Sequence, residues 1–262
     1  MDPSSARHAF ITGGASGIGL GIADALTARG VPVTVADIDR ETLEAVVAGR
    51  AGRLRGQLLD TRDRAGWARA KAEAEAALGP VDILVNNAGI APDGRDFADM
   101  DPESFDRIVG INLTGVFNGV SAFAGDMRAR GRGHIVNTSS LAGLTSPFPG
   151  VGAYAVAKFG VVAMSEGLRT ELAPYGVGVS VLCPGLVATN LPQTTLKLGG
   201  QLRDPNAPMQ ASGVTVEAVG ELVLGAIAAN QLYIITHPDL WPAVEPRLDG
   251  VRDAFLRASA LG

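Results

Sequence analysis

Two residues of the stretch YAVAK, Tyr154 and Lys158, have the types and the spacing needed to move a proton. Side chains four positions apart lie on one face of an α-helix, so a helix here places a weak acid beside a cation. The pKa of an ordinary tyrosine is about 10 and must fall to about 7 to 8 before the phenolate serves as a base near neutral pH. A neighbouring ammonium favours the phenolate. The alternative is an amphipathic core tyrosine beside a solvated lysine.

The segment TGGASGIG, residues 12–19, has the composition of a phosphate-binding loop. Gly13, Gly17 and Gly19 allow a tight turn and a close approach of ligand to backbone. The N terminus of the following helix then offers free N–H groups to a phosphate. A glycine-rich loop is a weak signal by itself, and this chain has 34 glycines. Its position between an apolar run and a helical pattern favours dinucleotide binding over a simple turn.

Two acidic residues end the next predicted strands. Asp37 lies eighteen residues after Gly19, where an acid binds the adenosine ribose hydroxyls of a dinucleotide. A carboxylate there repels a 2′-phosphate, which favours NAD over NADP. Asp60 ends LRGQLLD and could face the adenine at the same edge. Either acid could instead be an ordinary polar residue at a strand end.

The elements that must position these residues follow from the apolar pattern. Short apolar runs, typical of buried parallel strands, alternate with longer segments of helical spacing. The runs cover residues 8–12, 33–37, 54–60, 81–86, 134–139, 179–183 and 232–236. This alternation predicts an α/β fold, a single Rossmann-type doubly wound parallel sheet of about seven strands with helices on both faces. No repeat or polar linker divides the chain, so residues 1–262 are predicted to form one domain.

Composition excludes several classes of partner. The net charge is −5, so we expect no nucleic acid. No uninterrupted apolar run approaches the roughly 20 residues of a membrane span, and the first residues lack a signal-peptide pattern. A cytoplasmic protein without a membrane partner is the expectation. Cys183 is the one cysteine, and His8, His134 and His237 are scattered, so no metal site is predicted.

Residues 189–213 interrupt the alternation with three prolines, three glycines and no sustained period. A connection of this length after the sixth strand is usually functional or disordered, and it lies at the ligand-binding edge. We expect it to form a substrate lid. Pocket walls should also come from residues 90–97 and 141–151. Their apolar residues suit a bulky apolar or aromatic substrate: Leu144, Phe148, Leu191, Leu196, Leu198 and Met209.

Taken in order, these motifs resemble the short-chain dehydrogenase/reductase family from about residue 8 to residue 190. The matching segments are TGGASGIG, NNAG (86–89), INLTG with Asn112, NTSSLAG with Ser139 and Ser140, YAVAK, and CPGLVAT (183–189). The stretches RARGRGHIVNTSSLAGLT and YIITHPDLW are also similar to bacterial Cα-dehydrogenases of lignin-type aryl ethers.

The resemblance implies a catalytic set of Asn112, Ser140, Tyr154 and Lys158. Ser140 would hold the substrate oxygen, Asn112 would anchor a water that leads to Lys158, and Lys158 would bind the nicotinamide ribose. Ser140 precedes Tyr154 by fourteen residues, one more than is usual in the family, and Ser139 is the alternative. The implied cofactor contacts are Gly13, Ser16, Gly17, Ile18, Gly19, Asp37, Asp60, Asn86, Ala88, Gly89, Tyr154, Lys158, Pro184, Gly185, Val187 and Thr189.

The expected activity is NAD-dependent interconversion of a secondary alcohol and its ketone, with Tyr154 as general acid and base. An NADPH-dependent ketone or 3-oxoacyl reductase is the alternative within enzymes, and a non-catalytic NAD-binding scaffold is the alternative outside them. Partners are then a small-molecule alcohol or ketone and further copies of the chain. The family pairs the helices around 103–129 and 153–173 between subunits, so we expect a homotetramer, with a dimer as the alternative.

Overall fold

The structure is a computed structural model that describes residues 1–50, 52, 54–146, 148–202 and 213–259. In this part of the chain seven strands form one parallel sheet, in the order β3-β2-β1-β4-β5-β6-β7. The strands are β1 (Ala9–Thr12), β2 (Val33–Asp37), β3 (Leu54–Leu58), β4 (Ile83–Asn86), β5 (Gly133–Thr138), β6 (Val177–Cys183) and β7 (Tyr233–Ile235). Each predicted run overlaps one of them, with β5 and β6 beginning one and two residues earlier than predicted, and the Rossmann-type fold is confirmed.

Burial along the strands explains why the apolar runs located them. Every residue of β1, β4 and β5 is buried, because helices cover both faces of the sheet. The edge strand β3 differs, since only Leu54 of its five residues is buried. Its sequence LRGQL carries polar side chains that an edge exposed to water tolerates.

Helices connect the strands and supply the covering layers. They are α1 (Gly17–Thr27), α2 (Arg40–Ala48), α3 (Arg64–Leu78), α4 (Pro102–Val109), α5 (Gly115–Arg130), α6 (Gly152–Leu172), α7 (Leu191–Lys197), α8 (Val216–Ala229) and α9 (Trp241–Ser259). Successive strand residues point to opposite faces, so the apolar core has two halves. Ile11 packs with α1 and α8 on one face, whereas Phe10 packs with Trp67 of α3 and Phe123 of α5 on the other.

Two glycines allow α1 and α8 to approach each other closely. A Cβ at Gly21 would lie 2.4 Å from the carbonyl oxygen of Val216, and a Cβ at Gly220 would lie 2.6 Å from the carbonyl oxygen of Gly21. Real Cβ atoms do not approach backbone this closely, so the two helices can cross at this distance only with glycine at both positions. The helix that follows the glycine-rich loop is thereby fixed to the helix that follows the lid segment.

One long helix contains an irregular turn. Helices α4 and α5 are joined through a π-helical turn, Gly110–Thr114, into a continuous helix Pro102–Arg130. Its most apolar 18-residue window has a mean hydropathy of 1.4, and half of that window is buried inside the protein. Length and composition alone would therefore allow this helix to span a membrane, although no uninterrupted apolar run in its sequence predicts a span. Burial of Phe123 and Met127 against the sheet is typical of a core helix.

The order of the strands creates the crevice in which ligands bind in this class of fold. The chain runs outward from β1 to β2 and β3, then returns to the other side of β1 with β4. The connections after β1 and β4 consequently leave the sheet in opposite directions and open a crevice at the carboxyl edge.

The lid segment is more ordered than its sequence predicts. Residues 189–213 were expected to lack regular structure, but Leu191–Lys197 form the helix α7, with Pro192 in its first turn. Proline is tolerated there because the first N–H groups of a helix have no intrahelical partner. Residues 203–212, which include the predicted wall residue Met209, lie outside the described residues.

Candidate active site

The glycine-rich loop lies at one end of the crevice and has the geometry that a phosphate requires. Gly13 and Gly17 have φ values of +60° and +53°, a conformation that other residues rarely adopt. Ser16 begins α1, but its side chain makes no capping hydrogen bond, so it leaves the first N–H groups of the helix uncapped. Those groups, together with Gly13, Ser16, Gly17 and Ile18, border the crevice.

Gly19 has a different role from its neighbours. It does not line the crevice, and a Cβ at this position would lie 2.2 Å from the carbonyl oxygen of Gly13 and 2.6 Å from Nδ2 of Asn87. Gly19 therefore allows close packing of α1 against the glycine-rich loop, and the cofactor contact predicted for it stays a prediction.

Asp37 ends β2 and lies at the far side of this loop. One of its carboxylate oxygens accepts a hydrogen bond from the N–H of Ala15 at 3.2 Å, and the other accepts from the N–H of Asp39 at 3.1 Å. These bonds hold the carboxylate at the rim of the crevice, which it lines together with Ile38. The arrangement fits an acid that receives ribose hydroxyls.

Asp60 lines the same end but is already engaged by a cation. Arg62 makes a bidentate ion pair with Asp60, with Nη2 at 2.7 Å and Nε at 3.0 Å, and this hydrogen bonding lowers the pKa of Asp60. Arg62 also borders the crevice. Asp60 was predicted as a lone acid, although Arg62, two residues further on in the segment DTR, could have indicated the ion pair.

The loop after β4 presents Ala88 and Gly89 to the crevice, as the resemblance implies, but its two asparagines differ. Asn86 was expected to contact the cofactor. Its side chain is buried, donates to Oδ1 of Asn137 at 2.9 Å, and lies too close to Gly119 of α5 for any Cβ there. Asn87 lines the crevice instead and donates to the carbonyl oxygens of Thr12 and Gly13. Of the two side chains, that of Asn87 borders the crevice, and the cofactor contact predicted for Asn86 stays a prediction.

Thr12, at the end of β1, is a positioning residue that the sequence analysis did not single out. Its hydroxyl oxygen accepts hydrogen bonds from the N–H groups of Asn87 at 2.9 Å and Ala88 at 3.1 Å. The loop after β4 is thus tied directly to the strand that carries the glycine-rich loop.

Asn112 lies within the π-helical turn, where such turns often mark functional sites. Its side chain is fully buried and exchanges two hydrogen bonds with the backbone of Ile90, accepting at 3.0 Å and donating at 3.1 Å. A Cβ at Gly89 would lie 2.6 Å from Oδ1 of Asn112. The side chain therefore positions residues 89–90, and the water relay implied by the resemblance stays a prediction.

Tyr154 and Lys158 project from the first turns of α6 into the crevice. The Lys158 ammonium lies 5.5 Å from the centroid of the Tyr154 ring and donates a hydrogen bond to the carbonyl oxygen of Thr138 at 3.0 Å. Both side chains line the crevice, and Lys158 is buried. A solvated surface lysine, the alternative considered from the sequence, is therefore wrong for Lys158.

The two serines after β5 have separate partners. Ser140 precedes a short 3₁₀ turn, Leu141–Gly143, where its hydroxyl accepts from the N–H of Ala142 at 3.1 Å, and its hydrogen bond with Tyr154 offsets part of the rise that burial causes in the pKa of the tyrosine. Ser139 borders the crevice, but its hydroxyl donates to the carbonyl oxygen of Lys158 at 2.8 Å and fixes the backbone of α6. The geometry favours Ser140 over Ser139 as the partner of the tyrosine.

The electrostatics of the pair differ from the expectation. Burial raises the pKa of Tyr154, and the Ser140 hydrogen bond offsets only part of this effect. Burial also lowers the pKa of Lys158 to about 8. In the protein alone, burial therefore moves the pKa of Tyr154 away from neutral, and the predicted fall, which involves the positive nicotinamide ring as well as Lys158, stays a prediction.

The segment after β6 closes the crevice from above. Pro184 and Thr189 line it, and Thr189 packs on the glycine-rich loop, where a Cβ at Gly17 would lie 3.0 Å from its Cβ. Gly185 and Val187 do not line it. Gly185 packs beneath His237, where a Cβ would lie 2.8 Å from the imidazole ring, and Val187 is buried in the apolar core. Both residues pack within the protein, and the cofactor contacts predicted for them stay predictions.

The lid helix α7 continues this roof. Leu191, Thr194 and Leu198 line the crevice, and the N–H of Ala91 donates to the hydroxyl of Thr195 at 2.8 Å. Of the other predicted wall residues, Leu144 packs behind α6, and Leu196 and Phe148 are exposed. Phe97, from the loop after β4, covers Gly152 two residues before Tyr154, where a Cβ would lie 2.5 Å from its ring.

This crevice fits a nicotinamide dinucleotide in both shape and chemistry. The uncapped helix N terminus and the positive-φ glycines suit a pyrophosphate, and a Cβ at Gly17 would crowd the space under Thr189. The carboxylate of Asp37 stands at one end, and the hydroxyl of Tyr154 and the ammonium of Lys158 at the other. In the described ranges no group of three or more histidine, cysteine, aspartate or glutamate side chains is arranged to hold a metal ion.

Comparisons with known proteins agree with this geometry. Residues 7–197 match the family model of the short chain dehydrogenases. The chain is 36% identical over 261 residues to a C alpha-dehydrogenase of Sphingobium sp., covering 94% of this chain and 85% of the relative.

Solved structures give the same result. A short chain dehydrogenase/reductase from Burkholderia phymatum in complex with NAD superimposes with a TM-score of 0.86 at 29% identity, covering 96% of each chain. A short-chain dehydrogenase from Sphingobium yanoikuyae in complex with NADPH superimposes with a TM-score of 0.78 at 27% identity, over 96% of this chain and 95% of that one. The chain therefore belongs to the short-chain dehydrogenase/reductase family of oxidoreductases, whose fold binds a nicotinamide cofactor.

Proposed function

We propose that the protein is an NAD-dependent oxidoreductase that interconverts a secondary alcohol and its ketone. The observation that carries this proposal is that Tyr154 and Lys158 line one end of the crevice, with Ser140 hydrogen-bonded to the tyrosine, and that Asp37 lines the other end. A proton-transfer group beside a hydrogen-bond donor is what a carbonyl oxygen needs while a hydride moves to or from its carbon.

In this mechanism Tyr154 moves the proton and Ser140 holds the substrate oxygen. A bound nicotinamide supplies the hydride chemistry. Because burial raises the pKa of Tyr154, the phenol stays protonated at neutral pH and is ready to donate to a ketone oxygen. In alcohol oxidation Tyr154 must give up that proton, and the nearby ammonium of Lys158 favours the phenolate at the moment of transfer. Asn112 fixes the adjacent loop through Ile90.

The preference for NAD rests on Asp37. Its carboxylate lies at the rim of the crevice with both oxygens held by backbone N–H groups, and so it cannot easily turn away from a cofactor. Ribose hydroxyls can donate to it, whereas a 2′-phosphate is repelled. The NADPH complex of the Sphingobium yanoikuyae relative keeps an NADPH-dependent ketone reductase as the second candidate.

The substrate we propose is a secondary alcohol with an aromatic or other bulky apolar group. Leu191 and Leu198 line the crevice, and the ring of Phe97, which is 60% exposed, lies over Gly152, two residues before Tyr154. An apolar group of the substrate would cover these side chains. The C alpha-dehydrogenase of Sphingobium sp. is a relative over most of the chain and supports this substrate class.

A paired cofactor screen tests the proposal. Formation of NADH, and of NADPH in parallel, is measured over aryl, aliphatic and cyclic secondary alcohols. We expect turnover with NAD on aryl alcohols and at least about tenfold less with NADP, as expected for a like charge at the ribose. Preference for NADP with reduction of 3-oxoacyl substrates would support the second candidate. Tight NAD binding without turnover on any alcohol or ketone would support a scaffold.

We further propose that the protein is cytoplasmic, forms one domain over residues 1–262, and assembles as a homotetramer. Supporting the assembly, Phe117 of α5 and Val156 of α6 are 47% and 46% exposed, although both helices otherwise pack in the core. Large apolar side chains at such positions are typical of subunit contacts. On α9, Phe255 and Leu256 add further exposed apolar surface, at 73% and 63%.

Sedimentation equilibrium tests the assembly. We expect a mass four times that of the 26.9 kDa chain, and we expect the substitution Phe117→Glu to yield smaller species. Leu58→Glu is the matched control, because Leu58 is 44% exposed on the edge strand, away from α5 and α6. A monomeric wild-type protein would contradict the proposal.

A further inference from the structure

A lysine of the lid reaches the end of the crevice where Asp37 lies. Lys197, the last residue of α7, makes an ion pair with the carboxylate of Asp39, 158 positions away in the sequence. Asp39 begins α2, where its other oxygen accepts from the N–H of Thr42 at 3.2 Å. The hydrogen bond from Lys197 is the main reason that the pKa of Asp39 falls to about 2.

The three charged groups form one unit, which we call the ribose-end cluster: Asp37, Asp39 and Lys197. The N–H of Asp39 donates to the carboxylate of Asp37 at 3.1 Å, so the two acids share one turn of backbone. The pKa of Lys197 is raised by Asp39 first and also by the charges of Glu41 and Asp37. The ammonium of Lys197 is therefore within electrostatic reach of the acid that faces the cofactor ribose.

The net charge of this cluster affects how tightly NADP binds relative to NAD. A 2′-phosphate carries a charge of about −2 near neutral pH, whereas NAD has neutral hydroxyls at the same place. The cluster has two negative charges and one positive charge. Without Lys197 its net charge would be −2, and without the carboxylate of Asp39 it would be zero. Loss of Lys197 would therefore increase the repulsion of the NADP 2′-phosphate, and loss of the Asp39 carboxylate would reduce it, whereas NAD would be little affected.

We infer that Lys197 is a selectivity residue that acts from the lid and limits the margin by which the site prefers NAD over NADP. This inference rests on the proposed function, because it assumes that the adenosine ribose binds beside Asp37. The alternative is an ordinary surface ion pair that only fastens the lid. Such a pair would change the binding of both cofactors equally or leave both unchanged.

Isothermal titration calorimetry of NAD⁺ and NADP⁺ separates the two possibilities without any need for turnover. For Lys197→Gln we expect the ratio of the NADP⁺ to the NAD⁺ dissociation constant to rise by about fivefold to tenfold, since one charge near the phosphate is lost. For Asp39→Asn the ratio should fall by a similar factor. The double variant restores the net charge of −1 and should return the ratio to that of the wild type.

The variants are chosen so that folding does not confuse the result. The side chain of Lys197 is 63% exposed, and asparagine begins helices as well as aspartate does. Arg252→Gln is the control, because Arg252 is 65% exposed, pairs with Asp249 on α9, and should leave the ratio unchanged. Equal shifts for both cofactors, or no shift in either single variant, would overturn the inference. If the binding ratios change as expected but the protein turns over no alcohol or ketone, the proposed reaction is wrong and the inference about Lys197 stands.

Discussion

Replacing Tyr154 with phenylalanine should lower kcat for secondary-alcohol oxidation by about a thousandfold. General acid–base groups contribute roughly 10² to 10⁴ in rate, and this substitution removes only the hydroxyl that carries the proton. The ring keeps its packing against the cluster of Ile90, Ile108 and Ala153, so the crevice should hold its shape. Initial rates of NADH formation at saturating alcohol and cofactor measure the effect.

The chain offers a matched control for this substitution. Tyr175 is 49% exposed at the end of α6, where its ring lies against Arg128, outside the crevice. Tyr175→Phe should keep the wild-type rate. The dissociation constant of Tyr154→Phe for NAD⁺ should stay within about threefold of the wild-type value, a difference of less than 1 kcal/mol, because the substitution removes one hydroxyl and keeps the ring. Full turnover by Tyr154→Phe would rule out its role as the proton-transfer group.

Gly19→Ala should both destabilise the protein and weaken cofactor binding. The new Cβ would lie 2.2 Å from the carbonyl oxygen of Gly13, so either the loop or α1 must move. Overpacking of this kind costs about 1–3 kcal/mol in the free energy of unfolding. We also expect at least about a tenfold loss of NAD⁺ affinity, or 1.4 kcal/mol, because the loop supplies the N–H groups that face the phosphates. Urea unfolding and titration calorimetry measure the two effects.

Gly225→Ala is the control, because it makes the same glycine-to-alanine substitution in a helix where the added methyl group has space. Gly225 lies within α8 and is exposed, and a Cβ there would meet nothing within 4 Å. Alanine is better than glycine inside a helix by about 0.8–1.0 kcal/mol, so this variant should be more stable and should bind NAD⁺ normally. A Gly19→Ala protein with wild-type stability and affinity would show that the contact with Gly13 does not control the loop.

The sequence predicted the sheet well because burial on both faces forces a local signature. Strands such as VTVAD and VSVLC are almost wholly apolar, whereas β3, with the sequence LRGQL, is an edge strand of the described sheet and is largely exposed. Motif spacing likewise located Tyr154, Lys158 and Ser140, because one helix and one turn carry them. Features fixed by a few neighbouring residues are visible in the sequence.

Contacts between distant segments were not predictable in this way. Lys197 and Asp39 are far apart in the sequence, and nothing local indicates their ion pair. The choice of Asn87 over Asn86 depends on which side of β4 faces the crevice, a property of strand register. Burial raises the pKa of Tyr154, and part of that burial comes from packing against Ile90 and Ile108, which are distant in the sequence.

The glycine crossing between α1 and α8 has a consequence for how this enzyme could diversify. The segment between β6 and α8 is attached at both ends. At one end the carbonyl oxygen of Pro184 accepts a hydrogen bond from the N–H of Leu141 at 2.8 Å, and at the other end Val216 packs against Gly21. Because both attachment points are fixed, the sequence between them can vary while the sheet and its crevice keep their positions. We therefore expect that exchanging this segment between relatives changes the range of substrates and leaves Tyr154 and Lys158 in place.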